Sequence, residues 1–259
     1  MKNFKERQYG QTTLKIYSTR EEMGQDAAEE AVSCLKSLLE EKEEVNLLFA
    51  AAPSQNEFLA QVASAKDVDW SRVNALHMDE YVGLAPDSPQ SFRHFLKQAI
   101  FDKAPFKQIF YINSEAGKSG EEIIESYRKV LQDHPLDIVF MGIGENGHIA
   151  FNDPPVADFD DPHTFKIVDL DLVCRQQQVH DKTFATLEDV PRQAYTVTIP
   201  TIMQAQYRFC IVPTALKAPA VQKTLEGPVE TACPASIIQN FPTRMYVDIE
   251  AAQDRKSVV

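Results

Sequence analysis

Hydrophobic positions recur along the chain with two periods. Short, mostly apolar runs rich in branched side chains occur at Val45–Ala50, Val73–Met78, Gln108–Ile112, Leu136–Met141 and Arg208–Val212. Runs of that length bounded by turn residues predict strands buried on both faces. Between them the spacing changes to three and four. A helix entered at Ser18, with Glu21 and Glu22 in the capping positions, carries Ala27, Ala31, Leu35 and Leu38 on one face. The same spacing predicts helices through Phe58–Val62, from Phe92 to Phe101, over Ser119–Gln132, and over Ala215–Leu225 before Gly227. Leu14–Tyr17 predicts a short edge strand. Lys166–Leu170, Tyr195–Pro200 and Met245–Asp248 predict further strands, and Thr201–Ala205 a short helix. Strands alternating with helices in this way predict an α/β fold, a Rossmann-like, doubly wound and mostly parallel sheet. No repeat, low-complexity tract or linker interrupts residues 1–259, so one domain is expected.

Charge narrows the partners. A formal net charge of −12 opposes a broad nucleic-acid footprint and attachment to an anionic membrane surface. It leaves room for a small anion, which needs only a few main-chain N–H groups, a hydroxyl and one or two cations. No apolar stretch is long enough to span a bilayer. Met1–Arg7 carries charge without an apolar core behind it, unlike a secretory leader. The four cysteines are scattered without a CxxC pair, which predicts reduced thiols in a cytoplasmic protein and no metal site.

In a parallel sheet the strands end at one common edge, where ligands bind. Val45–Ala50 runs into Ala51–Asn56, whose Ser54 offers a hydroxyl near a helix start, either as part of a phosphate loop or as a plain cap. Val73–Met78 runs into Asp79-Glu80. Adjacent residues on an extended chain point oppositely, so one of these carboxylates is expected to face a pocket. Leu136–Met141 runs into Gly142-Ile143-Gly144-Glu145-Asn146-Gly147-His148, followed by Asn152 and Asp153. That run nearly meets the dinucleotide fingerprint, but it comes late in the chain and its loop carries a histidine where the fingerprint needs a plain helix start. Gly-x-Ser-x-Gly is absent. A histidine, a carboxylate from another strand and a hydroxyl-bearing loop suit proton shuttling on a small phosphorylated metabolite.

Val73–Leu84 with Pro89–Phe92, and Gly142–Pro154, resemble the two signature regions of the glucosamine-6-phosphate deaminase/isomerase family. The resemblance continues through Tyr195–Ala205, Lys217-Ala218, Glu226–Val229 and Ala235–Pro242. It implies conversion of a 2-amino-2-deoxyhexose 6-phosphate, of the glucosamine or galactosamine series, to a ketohexose 6-phosphate and ammonia. It further implies no cofactor and a homo-oligomer. Carried over by position, Asp79 is the base that moves the C2 proton to C1. His148 assists ring opening, oriented by Asn146 and Asp153. Lys217 meets the phosphate and Ser54 replaces the family's loop threonine, with Gln55, Glu80 and Gly144 in the substrate-binding set. Three departures stand out. Ala51-Ala52-Pro53-Ser54-Gln55 replaces a glycine-rich phosphate loop. Asp153 is one methylene shorter than the usual glutamate beside the histidine. Gln178 stands where many members have a phosphate-binding arginine, with Arg175 a helical turn away as the expected substitute. A 6-phosphogluconolactonase-like hydrolase is the alternative, disfavoured by the Asp79–Leu84 pattern, and a non-catalytic sugar-phosphate sensor is a third reading.

Overall fold

The structure, a computed structural model, describes residues 4–85, 87–113 and 119–253. The first three residues, read above as part of the N-terminal segment, lie outside that set. In chain order the strands are β1 (Phe4–Tyr9), β2 (Thr12–Tyr17), β3 (Val45–Phe49), β4 (Val73–His77), β5 (Asp79–Tyr81), β6 (Gln108–Phe110), β7 (Ile138–Met141), β8 (Phe165–Asp169), β9 (Gln193–Val197), β10 (Tyr207–Val212) and β11 (Thr243–Asp248). The helices are α1 (Arg20–Glu41), α2 (Asn56–Ala63), α3 (Phe92–Leu96), α4 (Gly120–Asp133), α5 (Leu172–His180), α6 (Ile199–Met203) and α7 (Ala218–Glu226).

Eight strands form one sheet in the order β1-β2-β11-β10-β7-β3-β4-β6, parallel throughout except for the β1–β2 hairpin. The apolar runs occupy its centre because both of their faces are covered. Successive residues alternate between two cores: Leu47 and Phe49 of β3 face one, Leu48 the other; Phe140 and Phe209 face the first, Val139 and Cys210 the second. Ala31 and Leu35 of α1, with Phe58 of α2, close the first face, and Ile123, Tyr127, Val221 and Leu225 of α4 and α7 close the second. Each fully buried Leu or Phe contributes about 1.5–3 kcal/mol. The two layers therefore hold the sheet edge rigidly. Among the described residues no helix is long and apolar enough to cross a membrane.

Several local expectations shift. β2 is interior, because β1 pairs beside it and takes the edge. The charged residues Lys5 and Glu6 of β1 are exposed, as an unpaired edge requires. The cap of α1 is Thr19, whose hydroxyl accepts from the N–H of Glu22 at 3.1 Å. α4 has a full capping box between Ser119 and Glu122. The polar stretch after Asp171 is helical as α5, capped by the Asp171 carboxylate. Asp79–Tyr81 leaves the main sheet and pairs antiparallel in a second, three-stranded sheet, β5-β9-β8.

Candidate active site

From β3 the chain steps outward through β4 and β6. It then returns to the other side of β3 as β7 and steps the opposite way through β10 and β11. The crevice beyond the carboxyl ends of β3 and β7 is thus the topological switch point, where open α/β sheets bind ligands. A cavity of about 400 Å³ lies there. Ser54, Asp79, Gly144, His148, Gln178 and Lys217 line it.

His148 is placed by its own loop. Gly144 N donates to His148 O at 2.9 Å, and the backbone N–H of His148 donates to Asn146 Oδ1 at 3.0 Å. The ring packs over Gly144 so closely that any Cβ there would overlap it. This is where glycine is required, for approach and not for a positive φ. Behind the ring lies Asp153, whose side chain has no exposure; its Oδ1 is 2.8 Å from His148 Nδ1, a contact at hydrogen-bond distance but too oblique for a full bond. The shorter acid therefore reaches the imidazole directly. Asn146 Nδ2 donates to Asp153 Oδ1 at 2.9 Å, and the Asp171 N–H donates to Oδ2 at 3.2 Å. Burial pushes the Asp153 carboxyl up, but the His148 ring, the Asn146 amide and the Asp171 N–H outweigh it and hold it below the usual carboxylate range. Asn146 and Asp153 thus stand behind the histidine and do not line the cavity.

Asp79 enters from β5, fixed by pairing with Thr196 of β9. Burial first, and then the Glu80 charge, raise its carboxyl well above the ordinary range. Glu80 points the other way, which corrects its expected place among the substrate-binding residues. Its carboxylate accepts the N–H groups of Tyr81, Phe92 and Arg93 at 2.9, 3.2 and 2.9 Å, closing the start of α3. Burial raises Glu80 to about 7, against the opposing pull of those N–H groups and the Arg93 charge.

The cationic side departs further from expectation. Lys217 Nζ is buried with no hydrogen-bond partner among the described residues, and burial lowers its pKa despite Asp181 and Glu145 nearby. Arg175, expected to stand in for the missing arginine, does not line the cavity: it donates to the carbonyls of Leu187 and Val190 at 2.6 and 3.0 Å. Helicity of α5 alone did not aim it, because the loop after the helix offered unmet carbonyls. Gln178 lines the cavity, with Oε1 accepting from the Tyr81 hydroxyl at 2.7 Å. Gln55 also misses the cavity. Its Nε2 donates to Ser54 Oγ and to Ile211 O at 3.0 and 3.2 Å, so it orients the Ser54 hydroxyl and ties that loop to β10. Thr214, on the cavity wall, sits at φ 83°, a left-handed value costly for a branched residue. Both carboxylate oxygens of Asp248 accept its N–H, at 3.1 and 3.0 Å, and hold it there.

A sequence profile described as glucosamine-6-phosphate isomerases/6-phosphogluconolactonase matches residues 18–247. The chain belongs to this family. It is 38% identical over 210 residues to glucosamine-6-phosphate deaminase of Listeria monocytogenes serotype 4a (strain HCC23), covering 81% of this chain and 87% of that one. The deaminase of Lacticaseibacillus paracasei (strain ATCC 334) is 40% identical over 191 residues, covering 74% and 78%. A solved monomeric glucosamine-6-phosphate deaminase superposes with a TM-score of 0.83 at 26% identity, covering 93% of this chain and 99% of that one. The homo-oligomer expected above has no support from that monomeric relative. A 6-phosphogluconolactonase of Trypanosoma brucei, at 14% identity and a TM-score of 0.76 over 96% of this chain and 99% of that one, shares the fold alone.

Two features of this family member lie outside the sequence reading. Arg20, at the start of α1, lines the cavity. Its only sequence signal is a basic residue at a helix N-terminus, where acids are preferred. Cys174 of α5 joins His148 and Asp153, the three offering donor atoms within 4.8 Å of one another. Burial, and then Asp153, raise the Cys174 thiol well above its ordinary range, so it stands as a protonated thiol beside a carboxylate already bonded elsewhere.

Proposed function

We propose that the protein is a glucosamine-6-phosphate deaminase, taking the amino-sugar phosphate and water to fructose 6-phosphate and ammonia. The observation that carries this reading is the convergence of Asp79, His148 and Lys217 on one cavity of about 400 Å³. That volume suits a small polar metabolite.

In this reading His148 exchanges a proton with the ring oxygen as the sugar opens, a task matched to an imidazole. Asn146 and Asp153 fix the ring orientation. Asp79 then takes the C2 proton and returns it at C1, since one carboxylate oxygen can reach both adjacent carbons. Loss of the C2 proton turns the C1 aldehyde into a C1–C2 enolamine, and reprotonation at C1, with one amine proton passing to O1, leaves a C2 imine. Water adds to that imine and ammonia leaves. A carboxyl whose pKa is raised by burial is a stronger base once ionised, which favours abstraction of a carbon-bound proton. Lys217 and the Ser54 hydroxyl receive the phosphate. The altered Ala51–Gln55 loop makes the galactosamine epimer the second sugar to test.

The test is ammonia and ketose-phosphate release from glucosamine 6-phosphate and galactosamine 6-phosphate. Asp79→Asn is expected to lose about 10²–10⁴-fold in kcat while keeping its Tm. Release of no ammonia from either sugar, or an Asp79→Asn enzyme within tenfold of wild type, refutes the assignment.

A further inference from the structure

Arg20 is the first residue of α1, where the positive end of the helix dipole disfavours a cation. Its neighbours Glu21 and Glu22 follow the usual preference. The Arg20 side chain reaches the loop after β3, where Nη2 donates to Pro53 O at 2.9 Å and to Glu57 Oε2 at 2.8 Å. These bonds hold the guanidinium beside Ser54. Its Nε is buried with no hydrogen-bond partner among the described residues. Arg20 and Lys217 therefore line the same cavity, each with a buried nitrogen unmet by protein. Unmet donors of this kind are costly unless a ligand satisfies them.

We propose that Arg20 binds the phosphate of the substrate, supplying from α1 the guanidinium that Gln178 lacks. The proposal rests on the reading of this cavity as a sugar-phosphate site. Arg175 Nε is also unmet by protein, but Arg175 does not line the cavity, and Gln178 carries no charge. Gln178 accepts from Tyr81, and Arg175 donates to Leu187 and Val190. A phosphate monoester dianion beside Ser54 meets the free Nε edge of Arg20 on one side and Lys217 on another. Glu57 keeps the guanidinium extended and partly neutralised when no phosphate is bound, which offsets its position against the helix dipole. Specificity for a phosphorylated over an unphosphorylated sugar then resides in the pairing of α1 with the Ala51–Ser54 loop.

Arg20→Gln, Arg20→Lys and Glu57→Gln separate binding from structure. Steady-state kinetics with glucosamine 6-phosphate, and inhibition by inorganic phosphate, supply the readouts. Arg20→Gln is expected to raise both KM and the phosphate Ki by about 10- to 100-fold, the loss of a hydrogen bond to a charged group, with kcat within a few-fold of wild type. Glu57→Gln removes the carboxylate charge but keeps a side-chain oxygen that accepts from Nη2, so the guanidinium stays in place beside Pro53 and both constants stay within about threefold. Equal shifts in Arg20→Gln and Glu57→Gln, or no shift in Arg20→Gln, overturn the proposal. If Arg20→Gln does not fold, Arg20→Lys decides: a rise of at least about threefold in both constants supports it, because an ammonium lacks the forked donors, and unchanged constants overturn it. If the wild type releases no ammonia, the deaminase reading fails by itself. Calorimetric titration of wild type and Arg20→Gln with inorganic phosphate then decides the role of Arg20 alone.

Discussion

Gly144→Ala isolates the placement of His148 from its chemistry. A Cβ at position 144 would lie well inside 3.0 Å of Cε1, Nε2 and Nδ1 of the ring, where ordinary contact begins near 3.4 Å. The backbone of Gly144 needs no positive φ, so alanine imposes no main-chain strain. The clash falls on the far end of a side chain, which can rotate away. Folding is therefore expected to survive, with a loss of about 1–2 kcal/mol for the repacking. The ring, however, must move by roughly 1 Å, a displacement of the size that costs on the order of 10²-fold in rate. The 2.8 Å approach of Nδ1 to Asp153 is lost with it. Ammonia release at saturating substrate reads kcat, and a thermal melt reads folding. Gly144→Ala should fall about 100-fold in kcat and by only a few degrees in Tm. An alanine enzyme that folds and retains more than a third of wild-type kcat would show that the ring position seen here does not matter, and the role given to His148 would go with it.

Two further predictions concern buried charge. The folded pKa of Glu80, about 7, lies above its ordinary 4.5, so the folded state keeps a proton that the unfolded chain releases. Its contribution to stability is whole below pH 4.5 and declines by up to about 3 kcal/mol as the pH rises to about 7. Glu80→Gln should flatten that part of a Tm-against-pH curve. A slope equal to that of wild type between those pH values contradicts the argument. Lys217→Met replaces an unpaired buried ammonium by an apolar chain of similar length. It should stabilise the ligand-free protein by about 1–3 kcal/mol and raise KM for the sugar phosphate at least tenfold. A lower Tm would mean that the ammonium has a partner in solution.

The central strands were legible because a run buried on both faces has almost no sequence freedom. Val139, Phe140 and Met141 must all be apolar, since adjacent positions face different cores. Edges carry no such demand. β1 has four consecutive polar residues, Lys5 to Gln8, between Phe4 and Tyr9, and that text is equally compatible with a loop. α5 was obscured for a different reason. Gln177 and Gln178 are buried, but against a polar cavity and its hydrogen bonds, so hydrophobic spacing does not mark the inner face. In the site, the strand-end residues Asp79 and His148 were visible because topology alone brings strand ends together. Side-chain direction was not visible. Glu80 and Arg175 turn toward main-chain groups whose needs become apparent only when α3 and the loop after α5 are in place. Arg20 lies at the far end of a helix, and no local pattern connects it to Ser54.

The last strand occupies an unusual place in this order. β11 lies between β2 and β10, and among the described residues the β1–β2 hairpin joins the sheet through it alone. It also brings Asp248, which pins Thr214 three residues before Lys217. On a ribosome the chain emerges N-terminus first, so β2 must wait until Thr243–Asp248 has been made for the parallel neighbour it pairs with. The sheet closes, and the turn carrying the lysine is fixed, in one late event. A nascent chain cut short before β11 would hold Asp79 and His148 and still lack an anchored anion site.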